Sequence, residues 1–523
     1  MRTRPNSFST KGVVASSSLL ASVAGAKVLE NGGNVFDASL ATSAVLTVTQ
    51  NNLCGLGGDM FALLRSEGGT IVDVNGSGRA FSGASIQFFR ERGLDSIPPR
   101  GPYSALTVPG LVSGWIEIHK RCSMELKDLL LPAFTLANDG FPVTHNYSES
   151  VEISAKYLAG FEEWRNTFYR DSKPPSPGSV FRQPALANTL RLLMEEGLDS
   201  FYRGYVADKI LAGLEGLDVP IYLEDLRKHN ATLEKPLSTQ FFGHTFYETA
   251  PNSQGATAIL WANMIEEFFQ EKGRMPDDSE MIKLGILAYG ERDAHITDPL
   301  FHPLPSDFTT KNFARKLLTR ELDFSASRTG TGGGDTTYFA VADREGNSVS
   351  MIQSNYMGFG SGIMPRGMGF VLQNRGSYFT LKEGHHNSIS PNKRTFHTLC
   401  AAILEKDGRF EASFGTMGGD IQPQIHIQML MSLVDRLEDP QSVLDRPRWA
   451  FPYTIYDKPS RIICESEDLR NSLSGKMKQL QCLNQGFSSE FGHAQIVTLL
   501  PNGVVAGAAD PRGDGVAIPA SPF

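Results

Sequence analysis

A threonine pair follows a glycine-rich loop at the start of a strand-like stretch of the sequence. The stretch TGTGGGDTTYFAVADREGNSVSMIQS begins at Thr329, and its glycine cluster ends on Asp335, Thr336 and Thr337. Three interpretations are open. The loop could cradle a phosphate, it could lead into a core strand, or the chain could be cut there so that a threonine becomes a new amino terminus.

The phosphate-loop interpretation fits these residues poorly. A phosphate loop has the spacing Gly-x-x-x-x-Gly-Lys-Ser/Thr, in which the lysine neutralises phosphate charge. This loop offers Gly330 and Gly334 but places Asp335 where a cation is needed. An ordinary loop that enters a core strand remains compatible with the composition.

Cleavage before Thr336 would give one residue two catalytic groups. A threonine hydroxyl is a weak nucleophile until a base removes its proton. A new amino terminus would carry an amine with a pKa of roughly 7.7–8.0, close to the pH at which a general base works best. The Thr- and Gly-rich residues before Asp335 suit a connection in which the hydroxyl attacks the preceding carbonyl. This interpretation therefore predicts a threonine nucleophile that needs no Ser-His-Asp array.

Composition and charge narrow the class of protein. The 523 residues exceed one ordinary domain, which predicts two units or one large composite core. The net charge is −8, and no cluster of Lys or Arg marks a surface for nucleic acid or for an anionic membrane. The five cysteines are scattered without CxxC pairing, which favours a reducing compartment and argues against a zinc site.

The stretch from Gly12 to Leu29, GVVASSSLLASVAGAKVL, has some features of a signal peptide. Serines interrupt its apolar run, however, and a second helical pattern follows directly. We therefore expect two packed helices, the first closed by Gly32 and Gly33 and the second capped at Asn34. No run of about 18 apolar residues is present, so no membrane span is predicted and the cytoplasm is the expected location.

The rest of the chain mixes helical and strand patterns. Alternating apolar residues around short turns predict hairpins in GGDMFALLRSEGGTIVDVNGSG, YFAVADREGNSVSMIQS, CAAILEKDGRFEASFG and AQIVTLLPNGVVAGAAD. Three-to-four spacing predicts helices in LANTLRLLMEEG, GATAILWANMIEEFFQEKG and QIHIQMLMSLVDR, and helices dominate from about Gly110 to Glu291. Hairpin sheets with helices on their outer faces predict an α+β layered sandwich.

Eight motifs in order resemble the γ-glutamyltransferase family of N-terminal-nucleophile hydrolases. They are NGGNVFDASLATSAVL, LCGLGGDMF, LTVPGLVSGW, APNSQGATAI, YGERDAHITDP, DTTYFAVADREGNSVS, GTMGGD and AADPRGDG, and they span nearly the whole chain. The resemblance implies a four-layer αββα sandwich and a precursor that cleaves itself before Thr336. Residues 1–335 would then form a large subunit and residues 336–523 a small subunit of one shared sandwich.

The resemblance also implies roles for single residues. Thr336 falls on the family's nucleophile, and Ser354 falls on a threonine whose hydroxyl bonds that of the nucleophile. Gly418 and Gly419 fall on glycines whose backbone N–H groups form the oxyanion hole. Glycine suits this role because it lets the backbone approach a developing oxyanion. The structural alternative for these two glycines is a tight turn.

The substrate pocket departs from the family pattern. Glutamyl-binding members hold the α-amino group of the substrate with Asn, Gln and Asp, and these positions are Tyr356, Arg375 and Tyr378 here. Two family serines appear as His397 and Thr398. Arg375 places a guanidinium where the family has neutral and acidic groups. This guanidinium would repel the α-ammonium of a substrate, but it could bind a second substrate carboxylate in a bidentate manner.

The predicted activity is hydrolysis or transfer of a γ-glutamyl-type acyl group through a threonyl ester. The family's carboxylate-binding arginine has no clear equivalent, although Arg79 lies nearby in NGSGRAFSGAS. One alternative is an acylase for another dicarboxylic monoamide, such as a glutaryl compound, and the other is an uncleaved homologue that acts as a binding protein. We expect no metal and no cofactor. The expected partners are a small-molecule amide, a water or amine acceptor and the two fragments of the chain, and homo-oligomerisation stays open.

Overall fold

The computed structural model describes residues 2–320, 335–436, 438–451, 461–478 and 481–521. The glycine-rich part of the predicted cleavage loop, up to Gly334, lies outside the described residues. Among the described residues, none of the helices combines the length and apolar character needed to cross a lipid bilayer.

The strands, in chain order, are β1 (Ser7–Ser9), β2 (Gly12–Ser16), β3 (Asp59–Arg65), β4 (Ile71–Gly76), β5 (Phe141–Pro142), β6 (Val180–Phe181), β7 (Thr232–Glu234), β8 (Leu237–Phe241), β9 (His244–Glu248), β10 (Asp335–Asp343), β11 (Ser348–Tyr356), β12 (Ala402–Lys406), β13 (Arg409–Thr416), β14 (Trp449–Ala450), β15 (Arg461–Cys464), β16 (Gln481–Asn484), β17 (Ala494–Leu499), β18 (Val505–Ala509) and β19 (Val516–Pro519).

The α-helices are α1 (Leu19–Glu30), α2 (Val35–Thr49), α3 (Ile86–Arg90), α4 (Leu111–His119), α5 (Leu126–Asp139), α6 (His145–Leu158), α7 (Glu162–Phe168), α8 (Pro184–Glu196), α9 (Ser200–Arg203), α10 (Tyr205–Leu214), α11 (Leu223–Arg227), α12 (Gly255–Lys272), α13 (Asp278–His295), α14 (Lys311–Leu318), α15 (Gln422–Val434), α16 (Pro440–Asp445) and α17 (Glu467–Lys476).

Two seven-stranded antiparallel sheets form the centre of the molecule. The first has the order β1-β18-β17-β13-β12-β9-β8, and the second has the order β19-β2-β10-β11-β3-β4-β7. Strands that precede Thr336 and strands that follow it are present in both sheets. In the second sheet, β10 lies between β2 and β11. The residues next to the predicted cut pair with β11, and pairing with β2 begins at Phe339.

The two sheets pack face to face and helices cover both outer faces. Side chains such as Phe61, Tyr338, Ile352 and Val497 fill the space between the sheets. Helices α1 and α2 pack on the outer face of the second sheet, whereas α12, α13 and α15 pack on the outer face of the first. This order of layers confirms the predicted αββα sandwich.

The amino-terminal prediction is partly wrong. The segment Gly12–Ser16, predicted as part of a helix, is β2, in which Val14 pairs with Val341 of β10 and Ile518 of β19. Pairing with two neighbours favours the β conformation of this valine-rich segment over its small-residue helical pattern. The second helix is confirmed, because Asn34 accepts bonds from the N–H groups of its first turn in a capping box with Asp37.

The four predicted hairpins are confirmed, as are the three predicted helices, which correspond to α8, α12 and α15. Strands β7, β8 and β9 interrupt the region predicted to be dominated by helices. Strand β9 pairs with β12, which is distant in the sequence. Sheet pairing over such a distance is decided by tertiary contacts and not by the local pattern.

Candidate active site

Thr336 lies opposite Ser354 in the β10–β11 hairpin. Asp335 pairs with Tyr356 and Thr337 pairs with Gln353, so that β11 carries one extra residue between these pairs, in a bulge opposite Thr336. A bulge turns a side chain away from the regular ladder. Thr336 Oγ1 donates a hydrogen bond to Ser354 Oγ at 3.2 Å, and Thr336 is 1% exposed. The structure therefore joins the predicted nucleophile to its predicted hydroxyl partner.

Ser354 is held in place by the end of its own strand. Its Oγ accepts the backbone N–H of Tyr356 at 2.7 Å. Tyr356 has a φ of 78°, a left-handed conformation that is uncommon for a residue with a bulky side chain. The strand end thus directs one backbone N–H and one threonine hydroxyl at the same oxygen, which orients Ser354 toward Thr336.

Gly418 and Gly419 form the turn between β13 and α15. Their φ angles are 131° and 58°, and a Cβ at Gly418 would come within 2.8 Å of Ile421 Cγ1. Within β13, Gly415 packs so closely on Tyr338 of β10 that a Cβ would meet that ring at 2.5 Å. The two strands are therefore in direct contact near the site. Backbone N–H groups in such a turn, at the start of a helix, can stabilise an oxyanion.

Arg375 is a buried cation with unused donors. It is 1% exposed and stacks its guanidinium carbon 4.4 Å from the centre of the Tyr356 ring and 5.6 Å from that of Tyr378. Its Nη1 donates to Thr398 Oγ1 at 2.9 Å. Within the described part of the chain, no group accepts a hydrogen bond from its Nε or Nη2. Two unpaired donors on one buried guanidinium are the arrangement that binds a carboxylate.

Asp420 connects this pocket with the glycine turn. Its Oδ2 accepts the hydroxyl of Tyr378 at 2.5 Å, and its Oδ1 accepts Arg292 Nη1 at 2.8 Å. Arg292 Nη1 also donates to Gln254 Oε1 at 2.9 Å, and Gln254 Nε2 donates to the carbonyl of Gly419 at 2.9 Å. One buried network therefore fixes both the tyrosine beside Arg375 and the backbone of the turn.

Both ring nitrogens of His397 are used inside the protein. Its Nε2 donates to Asp59 Oδ2 at 3.0 Å, and its Nδ1 accepts the N–H of Leu399 at 3.2 Å. Asp59 Oδ1 accepts Gln373 Nε2 and the N–H of Gly78. Burial raises the pKa of Asp59 to about 7 and holds the pKa of His397 well below its usual range. His397 is therefore a neutral residue that supports the wall of the pocket.

Arg79, the second predicted arginine, is engaged elsewhere. Its Nη1 donates to Asp298 Oδ2 at 3.0 Å and to the carbonyl of Asn392 at 3.1 Å. Its pairing partner in a short bridge is Arg394. Of the predicted site residues, Tyr356, Tyr378 and Thr398 contact Arg375. Thr336 is linked to Tyr356 through Ser354. Arg79 instead forms an ion pair with Asp298.

Sequence reasoning missed three members of the buried network, Asp420, Arg292 and Gln254. Asp420 directly follows the two glycines, and that adjacency was the available signal for it. Arg292 is 128 positions from Asp420, so no local pattern could show that the two residues form a pair.

Comparisons with known proteins agree along the whole chain. A family model of gamma-glutamyltranspeptidase matches residues 21–520. The chain is 36% identical over 519 residues to the glutathione hydrolase-like YwrD proenzyme of Bacillus subtilis, with 97% of this chain and 98% of the relative covered. It is 35% identical over 530 residues to the oxamate amidohydrolase proenzyme of Klebsiella pneumoniae, with 98% and 99% covered.

The fold agrees with the same family. The crystal structure of cephalosporin acylase from Bacillus halodurans is 32% identical to this chain and superposes with a TM-score of 0.91, covering 100% of this chain and 98% of that one. Family model, relatives and fold thus coincide over nearly every residue. This chain belongs to the gamma-glutamyltranspeptidase family.

Proposed function

We propose that this protein is a self-cleaving threonine amidohydrolase that hydrolyses or transfers a γ-glutamyl-type acyl group. The observation that carries the proposal is the hydrogen bond between Thr336, at the start of a central strand, and Ser354, in the bulge opposite it. The two similar relatives are named proenzymes, one glutathione hydrolase-like and one an oxamate amidohydrolase, which supports self-cleavage and amide hydrolysis here.

Cleavage would begin with attack by Thr336 Oγ1 on the carbonyl carbon of Asp335. The peptide C–N bond breaks as an ester forms, and the nitrogen becomes the α-amine of Thr336. Water then hydrolyses the ester and releases the carboxylate of Asp335. Ser354 keeps the threonine hydroxyl in place for this step, and the product combines nucleophile and base in one residue.

The same groups would then act on the substrate. The α-amine takes the proton of Thr336 Oγ1 while this oxygen attacks the amide carbonyl, and the N–H groups of Gly418 and Gly419 hold the oxyanion. The amine half leaves with a proton, and water or an acceptor amine resolves the threonyl ester. Residues 1–335 and 336–523 would remain together, because both sheets contain strands from each part.

Arg375 favours a second candidate, an acylase for a dicarboxylic monoamide such as a glutaryl compound. Its unpaired donors suit the distal carboxylate of such an acyl group. An α-ammonium would need an acidic partner, and Asp420, the carboxylate beside Tyr378, already accepts from that hydroxyl and from Arg292. A buried ammonium without its own carboxylate costs several kcal/mol. A carboxylate without an ammonium is therefore the better complement to this pocket.

Cleavage is tested on the purified protein. We expect two fragments, residues 1–335 and 336–523, with amino-terminal sequencing of the second starting at Thr336. Thr336→Ala should stay intact because no hydroxyl remains to attack the carbonyl. Thr337→Ala is the matched control and should still be cut. Cleavage of Thr336→Ala, or a second fragment that starts at another residue, would exclude Thr336 as the nucleophile.

A substitution at Gly419 distinguishes a role in the oxyanion hole from a role in forming a tight turn. Gly419→Val should lower kcat by about 10²–10³, because displaced N–H donors act on the transition state. Gly384→Val is the control, since Gly384 also has a positive φ, 74°, but a Cβ there meets nothing within 4 Å. We expect both variants to lose similar thermal stability. Unchanged kcat together with a much larger loss of Tm in Gly419→Val would favour the tight turn.

The acyl group is tested with two anilides of equal length, γ-glutamyl and glutaryl. If Arg375 selects a carboxylate without an ammonium, wild type should prefer the glutaryl compound in kcat/KM by about a hundredfold, equivalent to about 2.7 kcal/mol. Arg375→Gln should remove this preference, and Arg375→Lys should restore only part of it. A wild-type preference for the γ-glutamyl compound that survives in Arg375→Gln would reject the second candidate and leave γ-glutamyl transfer.

A further inference from the structure

A cleft of about 460 Å³ lies next to the glycine turn of the site. Its lining includes Met417, which precedes the glycine turn, and Ser18. Ser18 follows Ser17, whose Oγ contacts Thr337 Oγ1. Strand β10 lies between β2, which ends at Ser16, and β11, whose last residue, Tyr356, stacks on Arg375. Arg375, Tyr356 and Tyr378 are not among the described residues that line the cleft. The two halves of an amide extend in opposite directions from its carbonyl, so an acyl group bound to Arg375 leaves this cleft open to the amine half.

Part of the wall of the cleft is apolar and ordered by aromatic packing. The apolar residues that line it include Leu19, Leu20, Leu53, Phe141, Tyr147 and Met417. The rings of Phe141 and Tyr147 meet edge to face with their centres 5.9 Å apart, and Tyr147 donates its hydroxyl to Asn51 at 2.8 Å. Such walls offer an apolar surface to a flat or bulky amine substituent.

The charges in the cleft have one sign. Among the described residues that line it, the carboxylates are Glu149 and Asp514, and neither Lys nor Arg is present. Glu149 is exposed, and Asp514 accepts Asn146 Nδ2 at 2.7 Å. His493 and Tyr147 are further titratable groups in the lining; burial lowers the pKa of His493 and raises that of Tyr147, so neither adds charge near neutral pH. The cleft therefore repels anions.

We infer that this cleft holds the amine half of the substrate and selects a neutral or cationic, partly apolar amine over one that carries a carboxylate. The inference rests on the proposed function, because it assigns the group that leaves when the threonyl ester forms. The bond between Thr336 Oγ1 and the carbonyl carbon forms, the C–N bond breaks, and the protonated amine departs through the cleft. The acyl half is selected by a cation and the amine half by carboxylates.

The test uses two anilides that share one acyl group and differ only in the amine. One carries a carboxylate next to the nitro group, as 3-carboxy-4-nitroanilide, and the other carries the neutral 3-carbamoyl group of the same shape. We expect wild type to prefer the carbamoyl compound in kcat/KM by about tenfold, and high salt should reduce the ratio because both carboxylates of the protein are near solvent.

Substitutions test whether the cleft residues cause this ratio of kcat/KM between the two compounds. Glu149→Gln combined with Asp514→Asn should bring the ratio close to one, and Glu149→Lys should favour the carboxylated compound. Glu152→Gln is the matched control, because Glu152 lies on α6 with Glu149 but is not part of the lining, and it should keep the wild-type ratio.

The outcomes separate the two proposals. Equal rates for both compounds in wild type, or a ratio that the Glu149 and Asp514 substitutions do not move, would overturn the cleft inference and leave the proposed function intact. Hydrolysis of neither compound by cleaved protein, with γ-glutamyl and glutaryl acyl groups alike, would contradict the proposed function and the inference with it.

Discussion

The pairing of β10 with β11 from Asp335 onward, and with β2 from Phe339 onward, fixes the position of Thr336, and the rest of the site is arranged around that residue. A strand held on two sides can begin at a cut without moving, because its ladder bonds do not depend on the residues before it. The bulge in β11 lies opposite Thr336, where Ser354 Oγ accepts the threonine hydroxyl. One local irregularity in an otherwise regular sheet thus gives the predicted nucleophile its direction.

The charges on the two sides of Thr336 differ in sign. On the β11 side, Arg375 is buried with two donors that no described group accepts, and Asp420 is already paired with Arg292. On the β2 side, the cleft contains Glu149 and Asp514 without Lys or Arg among its described lining residues. Burial strengthens the first charge and solvent weakens the second pair. Selection at the acyl half should therefore be the stronger of the two.

The sequence was most informative where local pattern and geometry coincide. The turn between β10 and β11 sets a register that places Thr336 opposite Ser354, so this pair could be predicted from a hairpin pattern together with the family motif. The αββα layers followed from the order of motifs. The segment Gly12–Ser16 could not be assigned correctly, because its strand conformation depends on β10 and β19, which are distant in sequence. The same limit hid the pairing of Arg292 with Asp420.

The measurement that tests the central claim most directly is the position of the acyl group during turnover. The cleaved protein is mixed with an excess of an anilide that it hydrolyses, and the reaction is stopped with acid during turnover. Peptide mass mapping then locates the covalent intermediate. We expect the acyl mass on the peptide that begins at Thr336, and on its side chain. An acyl group on any other residue, or continued hydrolysis with Thr336 replaced by Ala in a cleaved chain, would contradict the assignment of Thr336 as the nucleophile.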